Sequence, residues 1–161
     1  MMQRVWILRH GEAECDTAYD PDRALTDHGA QHARAAGAWL ATFPAQPRTL
    51  VSPYRRAQQT AAEVLKALPH CTIATVDWLT PESDPHTVIR ELARFTDDEL
   101  LLVSHQPLCS ALLGVLIAGD YRAGPPMHTA SLAELSVSLV APGFAVLESL
   151  RQAPAYSAVP D

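Results

Sequence analysis

Along this chain, short unbroken apolar runs alternate with longer stretches where apolar residues recur every three or four positions. The runs read as strands and the periodic stretches as helices. Gln3 to Leu8, centred on Val5-Trp6-Ile7-Leu8, is the first expected strand. A polar loop over 12–25 follows, with the turn-prone Tyr19-Asp20-Pro21-Asp22. Thr26 is a good N-cap and Asp27 suits a first turn, so a helix is expected from there to about Thr42. Its buried stripe would be Ala33, Ala36, Gly37 and Leu40. Thr49-Leu50-Val51 reads as a short buried strand. Ser52-Pro53 then reads as the cap and first-turn pair of a second helix, burying Ala57, Ala61, Val64, Leu65 and Leu68.

Thr72 to Val76 is a third expected strand, and the Pro- and acid-rich stretch Asp77 to Pro85 a loop. Thr87 to Phe95 has helical spacing at Val88, Leu92 and Phe95. Leu100-Leu101-Leu102-Val103 is apolar throughout, as a central parallel strand covered on both faces must be. Ser104-His105-Gln106-Pro107 leads into a helix carrying Leu108, Leu112, Val115 and Leu116. After Gly124-Pro125-Pro126, Ser131 to Val140 alternates as a strand, Ala141-Pro142-Gly143 turns the chain, and Phe144 to Leu150 returns antiparallel. The expected fold class is α/β: a single three-layer domain over 1–153, with a mostly parallel central sheet flanked by helices and an antiparallel edge hairpin near the C-terminus. Residues 154–161 are expected to form a loose tail.

Length and composition narrow the function. At 161 residues, 48% hydrophobic and 19% charged, the chain suits one soluble globular domain. A net charge of -6 with no basic stripe argues against nucleic-acid binding, so an anionic substrate would need a local arginine cluster. Cys15, Cys71 and Cys109 form neither a CxxC pair nor a disulfide framework, which suits a reducing compartment. The four apolar residues before Arg9 are too few for a signal-peptide core, and no run has the length of a membrane span. A cytoplasmic protein with no membrane partner is the expectation.

Chemistry concentrates where strands end. Leu8 gives way to Arg9-His10-Gly11-Glu12, Val51 to Ser52, and Val103 to Ser104-His105. In a parallel sheet these three ends share one edge, the edge where open α/β sheets bind ligands. The helix after Ser52 brings Arg55 and Arg56 close by, and two helix N-termini point N–H groups the same way. Two imidazoles and two guanidiniums around one small anion make a phosphate pocket, with Arg9 and Arg56 as the clamp. Gly11 suits close approach of a ligand to the backbone. No GxSxG elbow or Walker loop is present, Cys15 lies in a polar loop, and Cys109 lies in an apolar helix as an inert thiol. Imidazole is unprotonated at neutral pH and forms covalent intermediates, so one histidine is favoured as nucleophile and the other as donor to phosphoryl oxygens. His28 and His32, four apart on a helix, read as a solvated face because no third metal ligand accompanies them.

These residues resemble the histidine phosphatase superfamily. Leu8-Arg9-His10-Gly11-Glu12 matches its nucleophile motif, and Leu25-Thr26-x-x-Gly29 with Ala33, Gly37 and Leu40 its first helix. Ser52-Pro53-x-x-Arg56-Ala57-x-Gln59-Thr60 matches the second-arginine motif, and Leu102-Val103-Ser104-His105 the second histidine. The resemblance implies that His10 attacks phosphorus and that water then releases phosphate. It also implies that Arg9, Arg56 and His105 bind the phosphoryl oxygens, with no metal or cofactor. Short length, Leu79-Thr80-Pro81 and Pro125-Pro126-Met127-x-Thr129-x-Ser131 resemble the small bacterial phosphohistidine phosphatases of SixA type. Larger relatives carry a Glu after the second-arginine helix as general acid. Here that region offers Glu82 and Asp84, without a clear match to the motif. A leaving imidazole asks less of a positioned acid than an alkoxide does. Arg23 matches an arginine of that branch and is, with Gly11, a candidate substrate contact.

The resemblance thus implies a phosphatase acting on phosphohistidine in a partner protein, such as a histidine-containing phosphotransfer domain. Two readings stand beside it: a phosphatase of small phosphate esters with the same pocket, and a non-catalytic phosphate- or phosphoprotein-binding module. Retention of both histidines and both arginines speaks against the last.

Overall fold

A computed structural model describes residues 2–158. Seven strands form one sheet in the order β3-β2-β4-β1-β5-β6-β7. The parallel half holds β1 (Gln3–Arg9), β2 (Arg48–Val51), β3 (Ile73–Thr75) and β4 (Glu99–Ser104). The antiparallel half holds β5 (Leu132–Val137), β6 (Ala145–Gln152) and β7 (Ser157–Ala158).

Period-two alternation sorts side chains between two cores. Val5, Ile7, Leu100 and Leu102 pack on one face with α3 (Pro85–Leu92) and α4 (Leu108–Ala118). Trp6, Leu8, Leu101 and Val103 pack on the other with α1 (Asp27–Leu40) and α2 (Arg55–Leu65). β1 and β4 are therefore buried on both faces, which is why their sequences are apolar runs rather than alternating ones. Thr26 caps α1 as expected, its hydroxyl accepting the Gly29 N–H at 2.9 Å. No helix among the described residues is long and apolar enough to cross a membrane.

Several expectations are corrected. The second helix starts at Arg55, because Ser52 Oγ accepts the Tyr54 N–H and closes a turn before the helix, leaving Tyr54 extended. Leu65 is only partly buried, and Leu68, though buried, lies beyond that helix. The stretch after β3 is more than a loop: Asp77–Leu79 forms a 3-10 turn that buries Leu79, and Pro85 opens α3 behind the N-cap Asp84, which accepts the His86 N–H at 2.9 Å.

The tail is not loose as far as Ala158. β7 pairs with Arg151 and Gln152 of β6, so the expected edge strand gains a short neighbour. Tyr156 is 1% exposed, and its hydroxyl lies 2.8 Å from the Ala130 carbonyl and 3.2 Å from that of His32. Residues 159–161 lie outside the described residues. Removing a buried aromatic side chain of this size costs about 3 kcal/mol or more. Tyr156→Ala is accordingly expected to lower the unfolding free energy by that order in urea titrations, whereas a loose tail predicts a change within about 0.5 kcal/mol.

Candidate active site

Register brings the three strand ends level. Val103 pairs with Leu8 on one side and Val51 on the other, and Arg9 pairs with Ser104. The ladder runs slightly past the strands: the His10 N–H donates to Ser104 O at 2.9 Å, and the Ser52 N–H to Val103 O at 3.1 Å. His10, Ser52 and His105 therefore stand side by side, with ring centroids of the two histidines 5.0 Å apart.

The proton positions on His10 follow from its partners. Nδ1 lies 2.7 Å from the Gly11 carbonyl, which can only accept, so Nδ1 carries the proton. Nε2 lies 3.2 Å from Arg56 Nε, which can only donate, so Nε2 presents its lone pair. Both contacts require the same neutral tautomer. Burial, reinforced by the nearby Arg56 and Arg9 charges and opposed by the Gly11 carbonyl, lowers the pKa of His10 to about 4. His105 is fully buried and its pKa is lowered further, to about 2, by burial first and then by His10 and Arg56. Its Nε2 meets Ser52 Oγ at 2.7 Å, while Nδ1 is buried without a partner. With the Ser52 hydroxyl donating to Nε2, Nδ1 is a free donor suited to an anionic oxygen.

Arg56 is 4% exposed, and each of its three nitrogens has a partner. Nε donates to His10, Nη1 to the Asp20 carbonyl at 2.9 Å, and Nη2 to Asp20 Oδ2 at 3.1 Å. The Tyr54 ring lies 5.1 Å from the guanidinium carbon and edges onto His105. Arg55, by contrast, is exposed and reaches only the Asp22 carbonyl, at 3.5 Å. Arg9 is held by Nη1 on the Met127 carbonyl at 2.9 Å, and its Nε is buried without a partner. Beneath it, burial pushes the Cys109 thiol up to about 12, leaving it a packed, unreactive group.

The second-arginine motif has a mechanical reason. Thr60 Oγ1 accepts the Gly11 N–H at 3.1 Å and donates to the Arg56 carbonyl at 2.7 Å. Gln59 Oε1 accepts the Leu25 N–H at 2.7 Å. Helix α2 thus supplies Arg56 and also grips both ends of the loop that follows His10. Gly11 also has a packing reason. A Cβ there would sit 2.6 Å from the Gly29 carbonyl oxygen, so the glycine admits the start of helix α1. Gly29 is reciprocal, since a Cβ there would come within 2.1 Å of the Glu12 oxygen.

Other sequence candidates lie further out. Arg23 donates to the Glu14 carbonyl at 2.7 Å and to Asp20 Oδ1 at 3.2 Å, joining the site through Asp20. Asp84 is committed to its helix cap, and Glu82 is exposed; neither hydrogen-bonds the two histidines or Arg9 and Arg56. His28 and His32 sit on the exposed face of α1, Nε2 to Nε2 2.8 Å, and no cluster of three metal-ligating side chains occurs among the described residues. Asp20, read only as a turn residue, is the site neighbour that sequence reasoning missed, and the contact of Ser52 with His105 goes beyond the strand-end and cap position expected of it. Nothing short-range marks Asp20, because its approach to Arg56 depends on how the whole 12–25 loop folds back.

A parallel sheet edge that gathers two neutral imidazoles and two guanidiniums defines an α/β phosphoryl-handling enzyme built on histidine. The model of the histidine phosphatase superfamily (branch 1) matches residues 5–80, a span containing Arg9, His10 and Arg56. Phosphohistidine phosphatase SixA of Escherichia coli is 38% identical over 133 residues, covering 80% of this chain and 81% of that relative. A SixA homologue from Haemophilus influenzae is 33% identical, covering 81% and 86%. The solved structure of the protein histidine phosphatase SixA complexed with tungstate superposes with a TM-score of 0.84 at 30% identity, covering 93% of this chain and 97% of that one. The chain belongs to the histidine phosphatase superfamily and is a phosphatase.

The lowered pKa of His10 has a thermodynamic consequence. Between pH 6.5 and about 4 the unfolded chain binds a proton on this side chain that the native state refuses. This contribution to stability is complete above pH 6.5 and declines as pH falls towards 4. Near pH 5 the slope it adds is about one proton, roughly 1.4 kcal/mol per pH unit. His10→Gln is expected to flatten the pH dependence of the unfolding free energy by that amount between pH 4.5 and 6.5. Equal slopes in the two proteins would refute the neutral, buried state of His10.

Proposed function

We propose that this protein removes phosphoryl groups from phosphohistidine in partner proteins, by way of a covalent phosphohistidine on His10. The observation that carries the reading is the Nε2 lone pair of His10, held by the Gly11 carbonyl on one side of the ring and aimed beside the Arg56 guanidinium on the other. A nucleophile and the cation for the oxyanion it attacks are thereby preset, and positioning plus charge stabilisation is most of what phosphoryl transfer needs. Arg9 and Arg56 take phosphoryl oxygens with their charges, and His105 donates from Nδ1. Nε2 attacks phosphorus opposite the leaving nitrogen, and the N–P bond to the substrate imidazole breaks as the new one forms. Water then attacks the phosphoenzyme and inorganic phosphate leaves. No metal or cofactor enters this scheme.

The choice of phosphohistidine over phosphate esters draws on the relatives, which are named for that activity. It also draws on the leaving group, because an imidazole departs near neutral pH with less help than an alkoxide. A phosphotransfer domain is the natural partner for such a site. The three cysteines are free thiols, which fits the reducing cytoplasm where we place the reaction.

Mixing the protein with a labelled phosphohistidine protein and quenching within milliseconds should trap acid-labile, base-stable label. In His10→Ala the label should be gone and turnover lost. Arg56→Ala should lose about 10²- to 10³-fold in kcat, the scale for removing one charge-stabilising donor. Label that persists in His10→Ala would overturn the assignment. A preference of orders of magnitude for sugar or nucleotide phosphates would move the substrate class to small esters.

A further inference from the structure

The covalent scheme lacks a group to handle protons, and neither carboxylate expected from the sequence reaches the clamp. We propose that Asp20, from the loop behind the nucleophile, is the acid–base residue of the reaction, a role that rests on the phosphoenzyme mechanism above. Its place is specified by three contacts: Oδ2 to Arg56 Nη2 at 3.1 Å, its carbonyl to Arg56 Nη1 at 2.9 Å, and Oδ1 to Arg23 Nη1 at 3.2 Å. The same guanidinium donates through Nε to the nucleophilic nitrogen of His10, so one planar group spans nucleophile and carboxylate. No other carboxylate among the described residues pairs with Arg56 or Arg9. The Asp20 side chain is also 49% exposed, whereas His10 and His105 are buried. It stands on the solvent side, from which both a leaving group and a water molecule must come.

Its titration fits the role once substrate is counted. In the free protein burial favours the neutral acid, but hydrogen bonds from Arg23 and Arg56 outweigh it and hold the carboxyl below its usual range. The ionisable groups facing it are Arg23 on its own loop, Arg56 and Tyr54 at the start of α2, and His105 at the end of β4. A bound phosphoryl dianion takes up the Arg56 charge and adds a like charge beside Asp20, and both effects favour protonation. In the first step the Nε2–P bond forms and the P–N bond to the substrate breaks. The Asp20 carboxyl proton goes to the departing nitrogen. In the second, water oxygen bonds to phosphorus, the P–Nε2 pair returns to His10, and the released water proton restores the Asp20 carboxyl. The cycle consumes one water and yields histidine and inorganic phosphate.

Asp20→Asn keeps the shape and the acceptor oxygen while removing the exchangeable proton, and Asp22→Asn removes a carboxylate from the same turn as a control. With aryl phosphates of increasing phenol pKa, kcat/KM for Asp20→Asn should fall away from the native protein. The loss should rise from about tenfold for good leaving groups to about 10³-fold for phenol, the latter within the range for general acid catalysis. Asp22→Asn should track the native line. With a phosphohistidine protein, Asp20→Asn should accumulate trapped phospho-His10, because the water step has lost its base. Parallel lines for Asp20→Asn and the native protein, or no rise in trapped label, would overturn the role of Asp20 and leave the nucleophile assignment standing. Absence of trapped label in the native protein would remove both.

Discussion

A buried cation beside an imidazole that must stay unprotonated is the constraint on which the rest of this structure depends. Taking a guanidinium out of water costs several kcal/mol unless its donors are met. Arg56 finds its acceptors in one nitrogen of His10 and two oxygens of a single residue in the 12–25 loop. That need explains why the loop folds back over the sheet edge. It also explains why α2 holds the loop at Gly11 through Thr60 and at Leu25 through Gln59. The guanidinium in turn helps to keep His10 neutral.

Much of this was legible in the amino-acid order. Strands β1, β2 and β4 are apolar runs that end abruptly in polar residues, and a parallel sheet has only one edge on which to place such ends. Arg9, His10 and His105 follow from that placement alone. Choosing Arg56 over Arg55 needed the motif; the structure adds the reason, since one faces the core of the site and the other faces solvent. What stayed hidden has long sequence separation and no periodicity. Asp20 meets Arg56 across 36 positions, Ser52 meets His105 across 53, and Tyr156 meets His32 across 124. Composition near position 156 is that of a fraying end, and only the pocket under Ala130 turns Tyr156 into core.

Gly11 carries a packing reason that the amino-acid order did not show. A glycine after a catalytic histidine invites the thought of a ligand pressed against the backbone. Here the space is taken by Gly29 at the start of α1, and the two glycines allow backbones to touch where any side chain would collide. The contact links the motif in β1 to the capped start of α1, so the first helix pattern and the nucleophile motif are halves of one joint.

The Tyr156 anchor has a bearing on biosynthesis. The Ala130 N–H donates to the carbonyls of Arg9 and His10, and the Ala130 carbonyl is in turn held by the Tyr156 hydroxyl. His10 therefore leaves the ribosome well before the groups that lock its backbone, which follow about 120 and 146 residues later. Contacts so distant in sequence close late in folding. A nascent chain would carry His10 without a finished site until β7 has emerged and paired with β6.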